Sequence, residues 1–284
     1  MAARADLIAP AERRHPRWRA HLALRYARCG AVTGLTERRH EGPLRIQRPF
    51  HPEGDPCHTY VLHPPGGVVG GDQLEVDLAV DPNAWAVVTS PGATKFYRSL
   101  GDEAVLEQRL GVAPGGTLEW FPQEQIAFAG AIASSTTRID LQAGARCLAW
   151  ELNCLGRPAG GYPFDQGCFR QRMTVWRDGV PLLLEHARLR GGSPTLTGQW
   201  GLGGAQAMAT LIAAPADKAL LTMLREALAH LPGEWAATLV DDLLVLRWRG
   251  AGALQAYALR LEAWRALRPV LLGRPICVPR IWNT

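Results

Sequence analysis

The chain has almost no lysine. Of its 31 basic residues only Lys95 and Lys218 are lysines, so arginine carries nearly all the positive charge behind the formal net +5. The basic residues are scattered, and no contiguous basic stripe suited to a phosphate backbone is present, so nucleic acid is not an expected partner. Arginine in this amount suits protein interfaces, where its planar fork pairs with carboxylates. No apolar run reaches the roughly 18 residues that a membrane-crossing helix requires, and no membrane segment is expected. The stretch from Met1 to Arg19 is arginine-rich and has no apolar core of a secretory signal. It predicts a loose leading arm over residues 1–20, ahead of one domain over residues 21–284, in a cytoplasmic protein.

Motifs of familiar chemistry are missing as well. The six cysteines (29, 57, 147, 154, 168 and 277) form no Cys-x-x-Cys pair and predict buried reduced thiols in place of disulfides. Paired histidines at helical spacing, a Cys/His quartet and a carboxylate-rich loop are all absent, which argues against a tightly held metal. Cys57 and His63 share a strand face, but six residues of strand separate them by about 20 Å, too far for one ion. Gly-x-Ser-x-Gly is absent too. Paired carboxylates at Glu119 and Glu124, flanking Trp120-Phe121-Pro122-Gln123, leave an acid/base enzyme as the competing reading.

What the chain does have is a glycine- and proline-rich stretch between Cys57 and Arg98. His63-Pro64-Pro65-Gly66-Gly67-Val68-Val69-Gly70-Gly71-Asp72 is followed, after one alternating run, by Ser90-Pro91-Gly92-Ala93-Thr94-Lys95-Phe96-Tyr97-Arg98. It is not a phosphate loop. The glycines lead into an acidic residue, no Gly-Lys-Ser/Thr follows, and the next element alternates like a strand.

Alternation dominates the first 190 residues. Leu74, Val76, Leu78 and Val80 recur with period two, and similar runs occupy 21–28, 57–63, 104–112, 134–141 and 146–155. Asp178-Gly179 between two such runs predicts a hairpin. Near the end the period changes. Leu220, Leu221, Leu224, Leu228 and Leu231 predict a helix over 217–231, and Leu254, Leu261, Trp264 and Leu267 predict another ending at Pro269. The expected fold is mainly β, a large body of many short strands with two α-helices in the C-terminal third.

Two carboxylates interrupt apolar runs: Glu151 after Cys147-Leu148-Ala149-Trp150, and Glu185 after Leu182-Leu183-Leu184. A carboxylate there is costly unless paired or hydrated. Each pairs with an arginine or faces a water-filled passage. Asp72, at the end of the glycine stretch, and Thr94, in the second turn, stand out beside them.

The glycine stretch, Pro91-Gly92-Ala93-Thr94-Lys95-Phe96-Tyr97-Arg98-Ser99 and Leu118-Glu119-Trp120-Phe121-Pro122-Gln123-Glu124 together resemble the urease accessory protein UreD (UreH) family. So do Gly42-Pro43-Leu44, Leu155-Gly156-Arg157-Pro158, Trp176-Arg177-Asp178-Gly179 and Pro279-Arg280-Ile281-Trp282, in order along nearly the whole chain. The resemblance implies a non-enzymatic chaperone for urease maturation. It would bind apo-urease and UreF, with UreG recruited through UreF, and would hold no tight cofactor, only nickel in transit. It places Asp72, Thr94, Glu151 and Glu185 along a nickel passage. Gly66, Gly67, Gly70, Gly71, Pro91, Gly92, Gly156, Arg157 and Pro158 are the family's turns. Weak oxygen ligands suit transit, because a tight site would trap the ion. The alternative is a plain scaffold that holds UreF and UreG on urease without conducting nickel. One departure is Tyr162, where the family usually has glutamate.

Overall fold

Alternating residues build strands, and glycine-bearing turns carry the chain from one sheet to another. The computed structural model describes residues 17–157 and 160–283. Most of the arm expected over 1–20 lies outside them, and the first strand begins at Arg19. In chain order the strands are β1 (Arg19–Cys29), β2 (Val32–Glu41), β3 (Arg45–Ile46), β4 (Cys57–Leu62), β5 (Gln73–Val80) and β6 (Trp85–Thr89). Next come β7 (Thr94–Phe96), β8 (Ala104–Val112), β9 (Thr117–Phe121), β10 (Gln125–Ala127), β11 (Ile132–Leu141) and β12 (Arg146–Leu155). The last five are β13 (Cys168–Arg177), β14 (Val180–Arg190), β15 (Ala207–Ala214), β16 (Glu234–Val240) and β17 (Leu243–Gly250).

These strands form two facing sheets. The first has the order β14-β13-β11-β8-β5-β1-β2, and the second β16-β17-β15-β12-β9-β6-β4-β3 with β10 and β7 beside β12. From β4 to β13 the chain passes back and forth between the sheets. Successive visits to the first sheet (β5, β8, β11, β13) therefore lie side by side and parallel. Those to the second (β4, β6, β9, β12) do the same. The middle of the molecule is thus a flattened coil, closed at its far end by the β13–β14 hairpin predicted at Asp178-Gly179.

Alternate residues of each strand fill the space between the sheets, as Leu74, Val76, Leu78 and Val80 do from β5. A second core lies on the outer face of the second sheet. There α2 (Lys218–Leu228) and α3 (Ala253–Leu272) cover Trp150, Leu211 and Leu246 with Leu224, Leu228, Trp264 and Leu267. Asp217 caps α2 by accepting a hydrogen bond from the Leu220 N–H at 2.8 Å, the ordinary preference of an N-cap. A four-residue α1 (Pro194–Thr197) precedes β15.

Two sequence expectations need correction. Helix α3 does not stop at Pro269 but continues to Leu272, where Gly273 at φ 72° closes it. A proline one turn from the end removes a single intrahelical bond, and the buried side chains of Leu267 and Leu272 hold the last turn down. The apolar run 207–214, left without an element, is the central strand β15, buried on both faces between the inter-sheet core and the helices. Such strands show no alternation.

Candidate functional site

The interior between the sheets is not uniformly apolar. Thr94, Gln125 and Asn153 are in register on β7, β10 and β12. In-register residues of parallel strands project to one side, here the interior that Ala149 and Leu155 of β12 also fill. Two residues before Asn153, Glu151 faces the same way, in register with Thr210 of β15 and, beyond it, Arg247 of β17.

The first sheet answers with its own polar side chains. Gln108 donates to the Thr137 hydroxyl at 2.8 Å. Gln171 spans the gap, its Nε2 donating to Glu151 Oε2 at 2.7 Å. Glu185 of β14 accepts from the Thr210 hydroxyl at 3.2 Å and from Arg247 at 3.0 Å. Sequence alone offered two settings for each carboxylate, and the arginine pair is the one observed for Glu185. Glu185 is paired with an arginine at the rim, whereas Glu151 has no cationic partner among the described residues.

The layer is short of donors. Glu151 Oε1, Gln171 Oε1, Asn153 Oδ1, Gln125 Oε1 and the Ser135 hydroxyl are buried with no hydrogen-bond partner. Native interiors rarely leave such groups unsatisfied, and a water or an ion is their usual partner. Burial pushes the Glu151 carboxyl up to about 7; Thr137 and Gln171 pull it partly back, and the Glu185 charge raises it further.

Each end of this layer meets a cavity. One of about 260 Å³ is lined by His63, Pro91, Gly92, Thr94 and Gln108. His63 Nε2 is buried there without a partner, and burial lowers its pKa. The other, of about 510 Å³, is lined by Asn153, Glu185, Thr210 and Arg247. Thr94, Glu151 and Glu185 therefore belong to one polar layer.

Asp72 stands beside that layer, near enough to His63 for its charge to oppose the effect of burial on the imidazole. Its carboxylate accepts from the backbone N–H of Trp18 at 3.0 Å and of Val69 at 3.1 Å, which ties the glycine stretch to the start of β1. The glycines shape this turn in two ways. Gly71 sits at φ 93°, and a Cβ on Gly67 would fall 2.1 Å from the Tyr97 ring. Gly66 lines the first cavity, while Gly70 packs against Ser99. Gly156 crosses so close to Tyr162 and Phe164 that no side chain fits. Pro158 lies outside the described residues.

Comparison with known proteins agrees with the motifs. The family model for the UreD urease accessory protein matches residues 19–283. The chain belongs to that family. It is 48% identical to the urease accessory protein UreD of Pseudomonas putida (strain W619), over 94% of this chain and 95% of that protein. It is 49% identical to the UreD of Pseudomonas fluorescens (strain Pf-5), over 95% and 96%. To that of Alkalilimnicola ehrlichii it is 45% identical, over 95% and 92%. Membership of the UreD family gives the chain an accessory role in urease maturation. Among the described residues no helix is long and apolar enough to cross a membrane.

At the position of this UreD-family chain's departure, the Tyr162 ring lies 4.7 Å from the Arg157 guanidinium, which also stands over Phe128. The contact there is cation–π, in place of the ion pair that a carboxylate would offer Arg157.

The paired-carboxylate reading fares differently. Glu119 and Glu124 do not share a pocket. Glu119 is enclosed beneath α3, where Trp85 and Trp264 donate to it at 2.9 and 2.7 Å and Arg268 at 3.0 Å. Glu124 accepts from the Tyr257 hydroxyl. A carboxylate so fully engaged is not free to move a proton. Sequence reasoning missed Arg268, which is completely buried and also pairs with Glu53. A charged residue at a core position of the predicted helix was the available signal.

Proposed function

We propose that this chain is a urease maturation chaperone that binds apo-urease and UreF, with UreG recruited through UreF, and passes nickel through the polar layer between its sheets. It works in the cytoplasm without membrane or nucleic-acid partners, and nickel is its cargo. The reading rests on one observation: five buried side-chain oxygens without donors, in a layer that joins Thr94 to Glu185. Oxygens are weak nickel ligands compared with thiolate and imidazole. Spaced along a route, they let an ion enter and leave, as conduction requires. Glu151 supplies the central negative charge, and with its pKa near 7 it accepts the ion more readily as pH rises through neutrality.

The test is activation in cells expressing urease with its accessory proteins. Replacing Glu151 with alanine, or plugging the first cavity with Thr94→Trp, should lower the nickel content of urease, measured by mass spectrometry. Pull-down of the UreF and urease complex should be unaffected. Normal nickel content in both variants would leave the scaffold reading standing and remove the passage. Asp72→Ala should act differently, through the folding of the glycine turn and hence the yield of complex.

A further inference from the structure

We infer that Glu53, His58 and Cys277 form a separate binding site for a divalent transition metal of borderline softness, on the outer face of the second sheet. The inference does not rest on the passage. Cys57 and Thr59 of β4 are buried on the inter-sheet side, so His58 between them projects the opposite way. There it meets Glu53, from the loop before β4, and Cys277, from the segment that follows α3. One ligand atom from each of the three lies within 4.8 Å of the other two.

The chemistry of the set is specific. Imidazole nitrogen, thiolate sulfur and carboxylate oxygen together suit nickel(II), cobalt(II) or zinc(II) far better than magnesium or calcium. His58 Nε2 already lies 2.8 Å from Glu53 Oε1. An ion would replace the proton they share, requiring only that the pair open slightly, since tetrahedral ligands about 2.0–2.3 Å from a metal stand roughly 3.3–3.8 Å apart. The Cys277 sulfur would close in from the third side by a comparable movement.

Outer partners are in place. Arg268 donates to both Glu53 oxygens at 2.6 and 2.8 Å, and Arg274 donates to the Glu53 carbonyl at 2.6 Å. Hydrogen bonds of this kind orient a ligating carboxylate. Against these two guanidinium groups stand the Glu53 and Glu119 carboxylates, and the Cys277 thiol would bind as thiolate, losing its proton to solvent as the ion enters. Three protein ligands leave a coordination position open. Glu53 and Cys277 are only partly buried, which gives an ion access from solvent.

Cobalt(II) titration of the reduced, chelator-treated full chain tests the site. Wild type should develop a thiolate-to-cobalt charge-transfer band in the near ultraviolet that saturates stoichiometrically and is bleached by nickel or zinc. The band should vanish in Cys277→Ser, with the thermal midpoint unchanged. It should persist in Cys29→Ser, which removes an exposed thiol, and in Glu151→Gln, which alters only the inter-sheet layer. Absence of the band in wild type, or its survival in Cys277→Ser, would overturn the assignment.

Discussion

Two buried glutamates on neighbouring strands show how differently one residue type can be used. Glu119 of β9 and Glu151 of β12 lie on opposite faces of the second sheet, and both are almost wholly shielded from water. Glu119 is held by a guanidinium and two indoles. Glu151 has one neutral amide donor, and one of its oxygens has no partner. Burial alone therefore does not separate the two carboxylates. Satisfaction does, because a group without its full set of partners can still accept one.

The comparison can be broken most severely at Arg268. Arg268→Met should cost about 3–5 kcal/mol, the usual result of leaving a buried charge without its partner. Chemical denaturation would measure it, and a loss under about 1 kcal/mol would mean that Glu119 is not held as an ion pair.

Glu151→Gln should do the reverse, and only at high pH. The folded carboxyl titrates near 7, above its ordinary value of 4.5. The folded state thus binds the extra proton, and wild-type stability falls as pH rises from 4.5 through 7. The glutamine variant escapes that loss. It should match wild type near pH 5 and exceed it by up to about 3 kcal/mol at pH 8. Thermal melts at the two pH values decide the matter, and equal differences at both would contradict the raised pKa.

Gln171→Leu removes the amide donor to Glu151 Oε2 and should cost about 1–3 kcal/mol, as for a buried acceptor left unmade. Double substitution with Glu151→Leu should recover part of that, a coupling absent between Gln171 and Glu119. The smallest effect belongs to Arg247→Ala, whose pair with Glu185 is half exposed. At most about 1 kcal/mol is expected, sensitive to salt.

Much of this was legible in the residues, for identifiable reasons. Period-two alternation exposed β5, β8 and β11, because each has one face in the inter-sheet core. It failed for β15, which is apolar on both faces. Glu151 and Glu185 stood out because a carboxylate inside an apolar run has no innocuous place to go. Thr94 was visible only through its motif and its neighbour Gln125 not at all, since a single amide in a strand carries no signal, whereas Asn153 shows as a second interruption, beside Glu151, of the apolar run 146–155. Asp72 drew attention through its position after the glycines, yet its carboxylate braces backbone. The partners of Glu119 and Glu53 were beyond sequence reasoning: Arg268 is 149 residues from one and 215 from the other.

The coiled path of the chain has a consequence for length. Gln108, Thr137 and Gln171 come from successive turns of the coil, on β8, β11 and β13. The polar layer runs along the axis of the coil, across the strands. Gln108 is in register with Thr137, and Ser135 with Gln171, so each strand sets its polar group about 4.8 Å from the one it pairs with, whatever the side chain's own reach. The sheet thus acts as a ruler, and a variant with one turn of the coil added or removed would have a polar layer longer or shorter by one such division.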